Sequence, residues 1–205
     1  MKKLLLKIWR FPFRLFCRFR LKNKHFSLIS SNCIGGGYYH DTFQRFLSPT
    51  INLTILNSIC FFENIPHYLS IEMTNAGLDD MGHPVGKIDD VTIIGVHYSN
   101  FSELKSSWEK RKNRIDYSNL FIISTDEFIS SSDEKNRFDK LPYPKICFVA
   151  NKNVDYDWQI FLPKYQGCRK VGDSMVYASI FGQRINELYF DFIYWLNNKK
   201  IKTGK

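Results

Sequence analysis

A cysteine and a run of glycines follow a short apolar segment early in the chain. Phe26–Ser30 predicts a buried strand, and a helical pattern begins near Tyr38. Between them stand Asn32, Cys33, Gly35, Gly36 and Gly37. Backbone N–H groups at a glycine-rich helix start can bind an anion, so we expect these glycines to contact a substrate. The GxGxxG and GK[ST] patterns are missing, so an ordinary dinucleotide or ATP site is not supported. The alternative is a tight turn that lets helix and strand approach closely.

The thiol of Cys33 stands just before the expected helix start. A helix N-terminus can lower a thiol pKa and make the thiolate a nucleophile, with His40 or His97 as its base. The alternative is a small buried hydrophobic residue, as most cysteines of this kind are. The neighbouring amide of Asn32 could bind ligand hydroxyls or shape the turn.

Polar residues stand at both ends of the strongest predicted strand, Val91–His97. The imidazole of His97 suits a general base because its unperturbed pKa is near neutrality, and Tyr98 follows it. The pair Asp89-Asp90 precedes the strand and could bind a divalent ion or act as acid and base. Adjacent strand residues point to opposite faces, so both carboxylates do not easily share one site. Asp90 joins His97 and Cys33 as a candidate catalytic residue.

The predicted helix Phe101–Ile115 carries an arginine on its apolar face. Trp108 and Arg111 recur there at helical spacing. An arginine on such a face needs a partner. That partner could be a ligand phosphate or carboxylate, which the guanidinium fork suits, or a carboxylate of the chain. The carboxylates considered are Asp89, Asp90 and Asp126. Trp108 and Arg111 are candidate substrate-binding residues.

The net charge of +9 comes from one N-terminal arm. Residues 1–24 hold nine cations and no acidic residue, and the remainder carries 20 basic and 20 acidic side chains. A general nucleic-acid binder more often spreads a basic stripe over its fold, so the neutral body argues against nucleic acid as a partner.

The arm has the pattern of an amphipathic helix that Pro12 should kink or interrupt. Its cations and apolar residues recur at helical spacing in two stripes: Lys3, Lys7, Arg10, Arg14 and Arg18, and Leu4, Ile8, Phe11, Leu15 and Phe19. The apolar runs fall short of the ~20 residues that span a bilayer, and a signal-peptide pattern is missing. Two interpretations stay open: an interfacial anchor on an anionic membrane, or a cover for the body's own apolar surface.

The five cysteines are scattered and have no CxxC spacing, which indicates a reducing compartment and argues against structural zinc. No cofactor is expected, and a divalent metal is left open.

Strands alternate with helices, which predicts an α/β fold with a layered mixed sheet of about five or six strands flanked by helices, Rossmann-like in outline. Ligands should gather after Ser30, His97 and Ser124, where strands end. The predicted organisation is an arm at 1–24, one domain at 25–197 and a basic tail at 198–205.

The chain resembles a bacterial family called domain of unknown function 1919. The residues that carry the resemblance are Ser31-Asn32-Cys33-Ile34-Gly35-Gly36, Pro84-Val85-Gly86, His97-Tyr98, the Trp108–Arg111–Arg114 helix and Asn119-Leu120-Phe121. Members are often labelled exopolysaccharide or capsule biosynthesis proteins. The resemblance covers most of Phe26–Ala150 and implies a role in cell-surface polysaccharide assembly.

The leading hypothesis is a transferase for capsule, exopolysaccharide or lipopolysaccharide synthesis at the cytoplasmic face of the bacterial membrane. Its substrate would be a sugar nucleotide or a lipid-linked sugar. The glycines and Arg111 would hold phosphate, Asn32 and Tyr98 would bind sugar hydroxyls, and His97 would act as general base. One alternative is acyl transfer or hydrolysis through Cys33. The other is a non-catalytic, membrane-tethered module that binds a glycan or a partner enzyme.

Overall fold

The computed structural model describes residues 2–202, with side chains from Ile8 onward. The side chains of Lys3, Leu4 and Lys7 in the predicted stripes, and residues 203–205 of the predicted tail, lie outside the described part. The strands are β1 (Ser27–Ser30), β2 (Thr54–Leu56), β3 (Thr74–Leu78), β4 (Pro84–Ile88), β5 (Val91–Ile94), β6 (Leu120–Thr125), β7 (Lys145–Val149) and β8 (Gln159–Phe161). The helices are α1 (Lys2–Arg20), α2 (Ile34–Thr42), α3 (Ser58–Glu63), α4 (Ile65–Ser70), α5 (Phe101–Lys112), α6 (Ser132–Asp139), α7 (Ile185–Tyr189) and α8 (Phe192–Asn198).

The α/β class that the sequence predicts is confirmed. The strands lie in two four-stranded sheets, where the sequence predicts a single mixed sheet with about five or six strands. One sheet is parallel with the order β1-β6-β7-β8, and the other is antiparallel with the order β2-β5-β4-β3. The glycine-rich segment 75–87 predicts a loop or a hairpin tip, and the structure has the hairpin of β3 and β4 there, with β3 exposed throughout.

The parallel sheet is covered on both faces, so its strands are apolar runs rather than alternating patterns. Phe121 and Phe148 point into a core shared with α1, α2 and α8. Ile122 and Cys147 point into a second core that contains α3, α5 and β5. The antiparallel sheet therefore packs on the side of the parallel sheet opposite α2.

The two sheets meet at the end of β1. Ile55 of β2 donates its backbone N–H to the Ser31 carbonyl oxygen at 2.9 Å, and Ser31 donates to Ile123 of β6 at 3.1 Å. The chain after β1 is thus bonded to both sheets, and α2 begins three residues later. Any ligand at this edge can touch residues from either sheet.

Helix α1 packs one face on the body and turns the other to solvent. Pro12 lies inside it and does not interrupt it. Cys17 and Leu21 are buried, whereas Ile8 and Phe19 of the predicted apolar stripe are exposed. No helix in the described residues is long and apolar enough to span a bilayer.

Candidate functional site

A pocket of about 340 Å³, here called the sheet-edge pocket, opens where β1 and β6 end. These strands are parallel neighbours, so their carboxyl ends share one edge, the usual place for a ligand in such sheets. The hydroxyls of Ser31 and Ser124 lie 3.0 Å apart at this edge. The polar lining consists of Asn32, Cys33, Thr54, Glu127, Lys170, Asp173 and Ser174. The predicted turns after Ser30 and Ser124 therefore meet, and they place Asn32 and Cys33 in one pocket with Glu127.

A larger cavity of about 590 Å³ lies between α1 and the α7–α8 segment. Its carboxylates are already paired within the chain, Glu187 with Arg10 and Asp191 with Arg20. The lysine of the sheet-edge pocket is also paired, with Glu127, but that pair is about half-exposed, and the pocket adds the start of a helix, a thiol and an amide. We therefore take the sheet-edge pocket as the candidate site.

The amide oxygen of Asn32 shapes the start of α2. It accepts a hydrogen bond from the Ile34 N–H at 3.1 Å, and the Ser30 hydroxyl lies 3.4 Å away. Cys33 supplies no side-chain cap, so Asn32 takes that part. The amide oxygen is thus occupied within the turn, which leaves the amide N–H₂ to meet a ligand in the pocket.

The thiol of Cys33 is partly buried and lies 3.9 Å from the Leu53 carbonyl oxygen. Burial raises its pKa to about 11, and the carboxylate of Asp173 adds to the effect. This direction is opposite to the lowered pKa that a helix start can produce, and it agrees with the alternative of a packed, largely buried thiol. His40 sits in the last turn of α2, at the opposite end from Cys33.

The three glycines form the first turn of α2 instead of a loop before it. A Cβ at Gly35 would lie 3.0 Å from the Ser30 Cβ. A Cβ at Gly37 would overlap the terminal methyl of Met175 and lie 2.7 Å from an Arg184 nitrogen. The glycines therefore allow α2 to approach its neighbours, as in the alternative interpretation. The N–H groups of Gly35 and Gly36 precede the first closed turn, so the helix gives them no acceptor.

The far wall of the pocket comes from residues 170–175, which lie outside any helix or strand. Lys170 forms an ion pair with Glu127, and both line the pocket. Asp173 and Ser174 follow on the same segment. A long segment without a helical or strand pattern is itself a signal of a binding site, because such connections often carry binding residues.

Asp126 holds this wall in place. Its two carboxylate oxygens each accept a backbone N–H at 2.8 Å, one from Ala150 and one from Val171. Burial raises the Asp126 pKa, and the hydrogen bonds oppose that rise. The carboxylate thus joins the ends of β6 and β7 to the segment that carries Lys170.

His97 lies beside the pocket on the second sheet. β5 ends at Ile94, three residues earlier than predicted, and the chain then turns. Val96 lines the pocket, and the His97 N–H bonds to the Asn52 carbonyl oxygen at 3.3 Å. The His97 side chain is exposed and has no hydrogen bond to another described side chain or backbone group.

Tyr98 and Arg111 form a pair outside the pocket lining. The Tyr98 hydroxyl donates to the Ile51 carbonyl oxygen at 2.9 Å and accepts from Arg111 at 2.6 Å. The guanidinium also lies 5.3 Å from the centre of the Phe46 ring. Within residues 2–202, no carboxylate pairs with Arg111, so the partner expected from Asp89, Asp90 or Asp126 is replaced by a phenol and a ring.

Two further candidates lie away from the pocket. Trp108 is buried in the core against Phe61, which removes its side chain from any surface. Asp90 sits in the turn before β5 and accepts from Tyr68 at 2.7 Å and Asn57 at 3.0 Å. His97 follows the other end of β5, so Asp90 and His97 do not share a site. The structure therefore does not bring Asp90 together with His97 and Cys33.

Comparison with known proteins adds the family. A family model described as Domain of unknown function (DUF1919) matches residues 5–197. The chain belongs to this family. A Haemophilus influenzae relative with the printed name "Uncharacterized protein" is 29% identical over 182 residues, which cover 87% of each chain.

The DUF1919 match includes every residue of the sheet-edge pocket and nearly all of α1. The residues of the site and most of those of the N-terminal helix therefore lie within the range that the family model matches. In the described residues of this DUF1919 protein, no group of three or more His, Cys, Asp or Glu side chains could hold a metal ion.

Proposed function

We propose that this protein is a transferase of cell-surface polysaccharide assembly that binds a sugar-phosphate-type substrate in the sheet-edge pocket. The observation that carries the proposal is the meeting of the α2 start with Lys170 in one pocket at the ends of parallel strands. A helix N-terminus and an ammonium group both favour phosphate. The polysaccharide context comes from the sequence resemblance.

The other lining groups fit the remainder of such a substrate. The amide N–H₂ of Asn32 and the hydroxyl of Ser174 suit sugar hydroxyls. The volume, about 340 Å³, is at the lower end of the range for small-molecule sites. Lys170 replaces Arg111 as the phosphate ligand, because Arg111 does not line the pocket.

The transfer needs one base. An acceptor hydroxyl loses its proton to that base and forms a bond to the sugar carbon, and the bond from this carbon to the phosphate oxygen breaks. The phosphate leaves with negative charge that Lys170 and the α2 N-terminus stabilise. Asp173 lines the pocket and His97 stands beside it, so these two are the candidate bases.

Sugar nucleotides test the proposal directly. We expect UDP- and GDP-sugars to raise the melting temperature of the full chain, since a ligand at 100 times its Kd adds about 2.7 kcal/mol. Lys170→Ala should weaken binding at least tenfold, and Lys164→Ala, an exposed lysine outside the pocket, should not. A panel that leaves the melting temperature unchanged, or equal affinities for the two variants, would reject the proposal.

Cys33 supports a second candidate, acyl transfer or hydrolysis, because its thiol lines the same pocket. Its raised pKa counts against this chemistry, since the thiol must first lose its proton to a base. The variant Cys33→Ser distinguishes the two candidate activities, because it should abolish thioester formation and leave sugar transfer unchanged. The non-catalytic binding module predicts sugar-nucleotide binding without turnover.

A further inference from the structure

We infer that the outer face of α1 and the loop at 176–182 form one surface that inserts into the boundary layer of an anionic bilayer. This surface is called the insertion face. The inference deepens the membrane location that belongs to the proposed function, and it names the parts of the chain that touch lipid.

The outer face of α1 is apolar and exposed. Ile8 is 62% exposed and Phe19 is 83% exposed, and Phe11 and Phe16 are exposed as well. Exposed apolar residues are ordinary when scattered singly, but here they follow one side of one helix. The helix has 19 residues and therefore extends about 28 Å along the surface.

A loop distant in sequence extends the same face. Ile180 is 81% exposed and Phe181 is 71% exposed. The indole N–H of Trp9 donates to the Ile180 carbonyl oxygen at 2.8 Å, which fixes the loop against α1. A groove of about 530 Å³, lined by Pro12 and Phe16 among others, joins the two elements.

The inner face of α1 is already used by the body. Arg10 is buried and bonded to Asp41 and Glu187, and Cys17 is buried beneath the helix. The earlier alternative, an arm that covers the body's own apolar surface, therefore accounts for one side of α1 only. Because this docking fixes the helix, its apolar stripe is held outward in the folded protein.

The charge around the insertion face favours an anionic membrane as its partner. Residues 1–24 hold no acidic residue, and Lys22 and Lys24 are exposed just after α1. The Lys22 N–H bonds to the Asn197 side chain at 2.8 Å, so the basic segment after α8 lies beside them. A basic border around an apolar helix matches anionic headgroups over acyl chains. A second copy of this chain would instead bring like charges together.

Vesicle co-sedimentation of the full chain tests the inference. We expect the protein to pellet with vesicles of phosphatidylglycerol and phosphatidylcholine, and much less with phosphatidylcholine alone. Phe19→Glu combined with Phe181→Glu should lower the partition coefficient at least tenfold. The control is Leu78→Glu combined with Met81→Glu in the β3–β4 hairpin, which changes charge equally on exposed apolar residues elsewhere. Trp9 fluorescence should shift to the blue on binding.

Several outcomes would overturn the inference. They are wild-type protein that stays in the supernatant, equal partition of the two double variants, or a dimer in sedimentation analysis that the insertion-face variant dissociates. Sugar-nucleotide affinity is measured on the same proteins. Failure of lipid binding with unchanged sugar-nucleotide affinity rejects the insertion face alone, and the reverse result rejects the pocket proposal alone.

Discussion

Arg10 of α1 and Asp41 of α2 form a buried ion pair, with Nη2 of the guanidinium 2.5 Å from Oδ2 of the carboxylate. The same nitrogen lies 2.6 Å from a Glu187 oxygen. Arg184 completes the cluster at 2.8 Å from Asp41. Arg14 lies 4.0 Å from Asp41, so three arginines surround two carboxylates where α1, α2 and α7 meet. The Arg184 guanidinium also packs over Gly37, where an added Cβ would lie 2.7 Å from it. The cluster therefore connects α1 with the first turn of α2, which begins at the sheet-edge pocket.

Replacing Arg10 should destabilise the protein strongly. Arg10→Met leaves two buried carboxylates with Arg184 and the more distant Arg14, and loss of one partner of a buried pair typically costs about 3–5 kcal/mol. Urea unfolding followed by circular dichroism measures the change. Lys22→Met, an exposed cation just after α1, is the control and should change the free energy of unfolding by less than about 0.5 kcal/mol. Equal midpoints for the two variants would show that the cluster does not hold α1 in place.

Adjacent glycines in α2 should respond differently to the same substitution. Gly37→Ala pushes aside the flexible end of Met175 and also displaces the Arg184 guanidinium, which Asp41 holds, and such overpacking typically costs about 1–3 kcal/mol. Gly36→Ala meets ordinary contacts at 3.5 Å, so it should be neutral or stabilise by up to about 1 kcal/mol through helix propensity. Met175→Ala in the Gly37→Ala background should recover only the part of the loss that comes from Met175. A ranking in which Gly36→Ala is the more harmful variant would contradict the packing described for α2.

The regular elements were predictable where local signals agree with burial. β6 begins with four apolar residues in a covered sheet, and Asn100 caps α5 by accepting the Glu103 N–H at 2.9 Å. The split into two sheets was not predictable from periodicity. It depends on the pairing of β2 with β5, which joins segments about 40 residues apart.

Part of the site was predictable, because some of its residues follow an element with a clear local signal. Asn32 and Cys33 follow a recognisable strand, and the rule for strand ends places them at the pocket. Lys170 and Asp173 carry no periodic pattern, and the long-range bond from Val171 to Asp126 positions them. The sign of the Cys33 pKa shift depends on burial by residues distant in sequence, so the helix start alone could not give it.

The carboxylate of Asp126 should stabilise the pocket wall more than the carboxylate of Glu127 does. Asp126→Asn keeps one acceptor oxygen, so either Ala150 or Val171 loses its partner at a cost of about 1–3 kcal/mol. Hydrogen exchange at these two amides should accelerate. Glu127→Gln, which removes a half-exposed charge paired with Lys170, should leave both rates unchanged. Unaltered exchange in Asp126→Asn would mean that other contacts hold the wall.

The reactivity of Cys33 should rise only at high pH. With a pKa of about 11, the thiolate fraction at pH 7 is about one in ten thousand, on the order of 100-fold below that of an unperturbed cysteine. Alkylation by iodoacetamide, followed by peptide mass spectrometry, should therefore label exposed Cys168 much faster than Cys33 at pH 7. Asp173→Asn removes the repelling carboxylate and should lower the Cys33 pKa and raise its labelling rate. Rapid labelling of Cys33 at pH 7 in the folded wild-type protein would contradict the raised pKa and favour the acyl-transfer candidate instead.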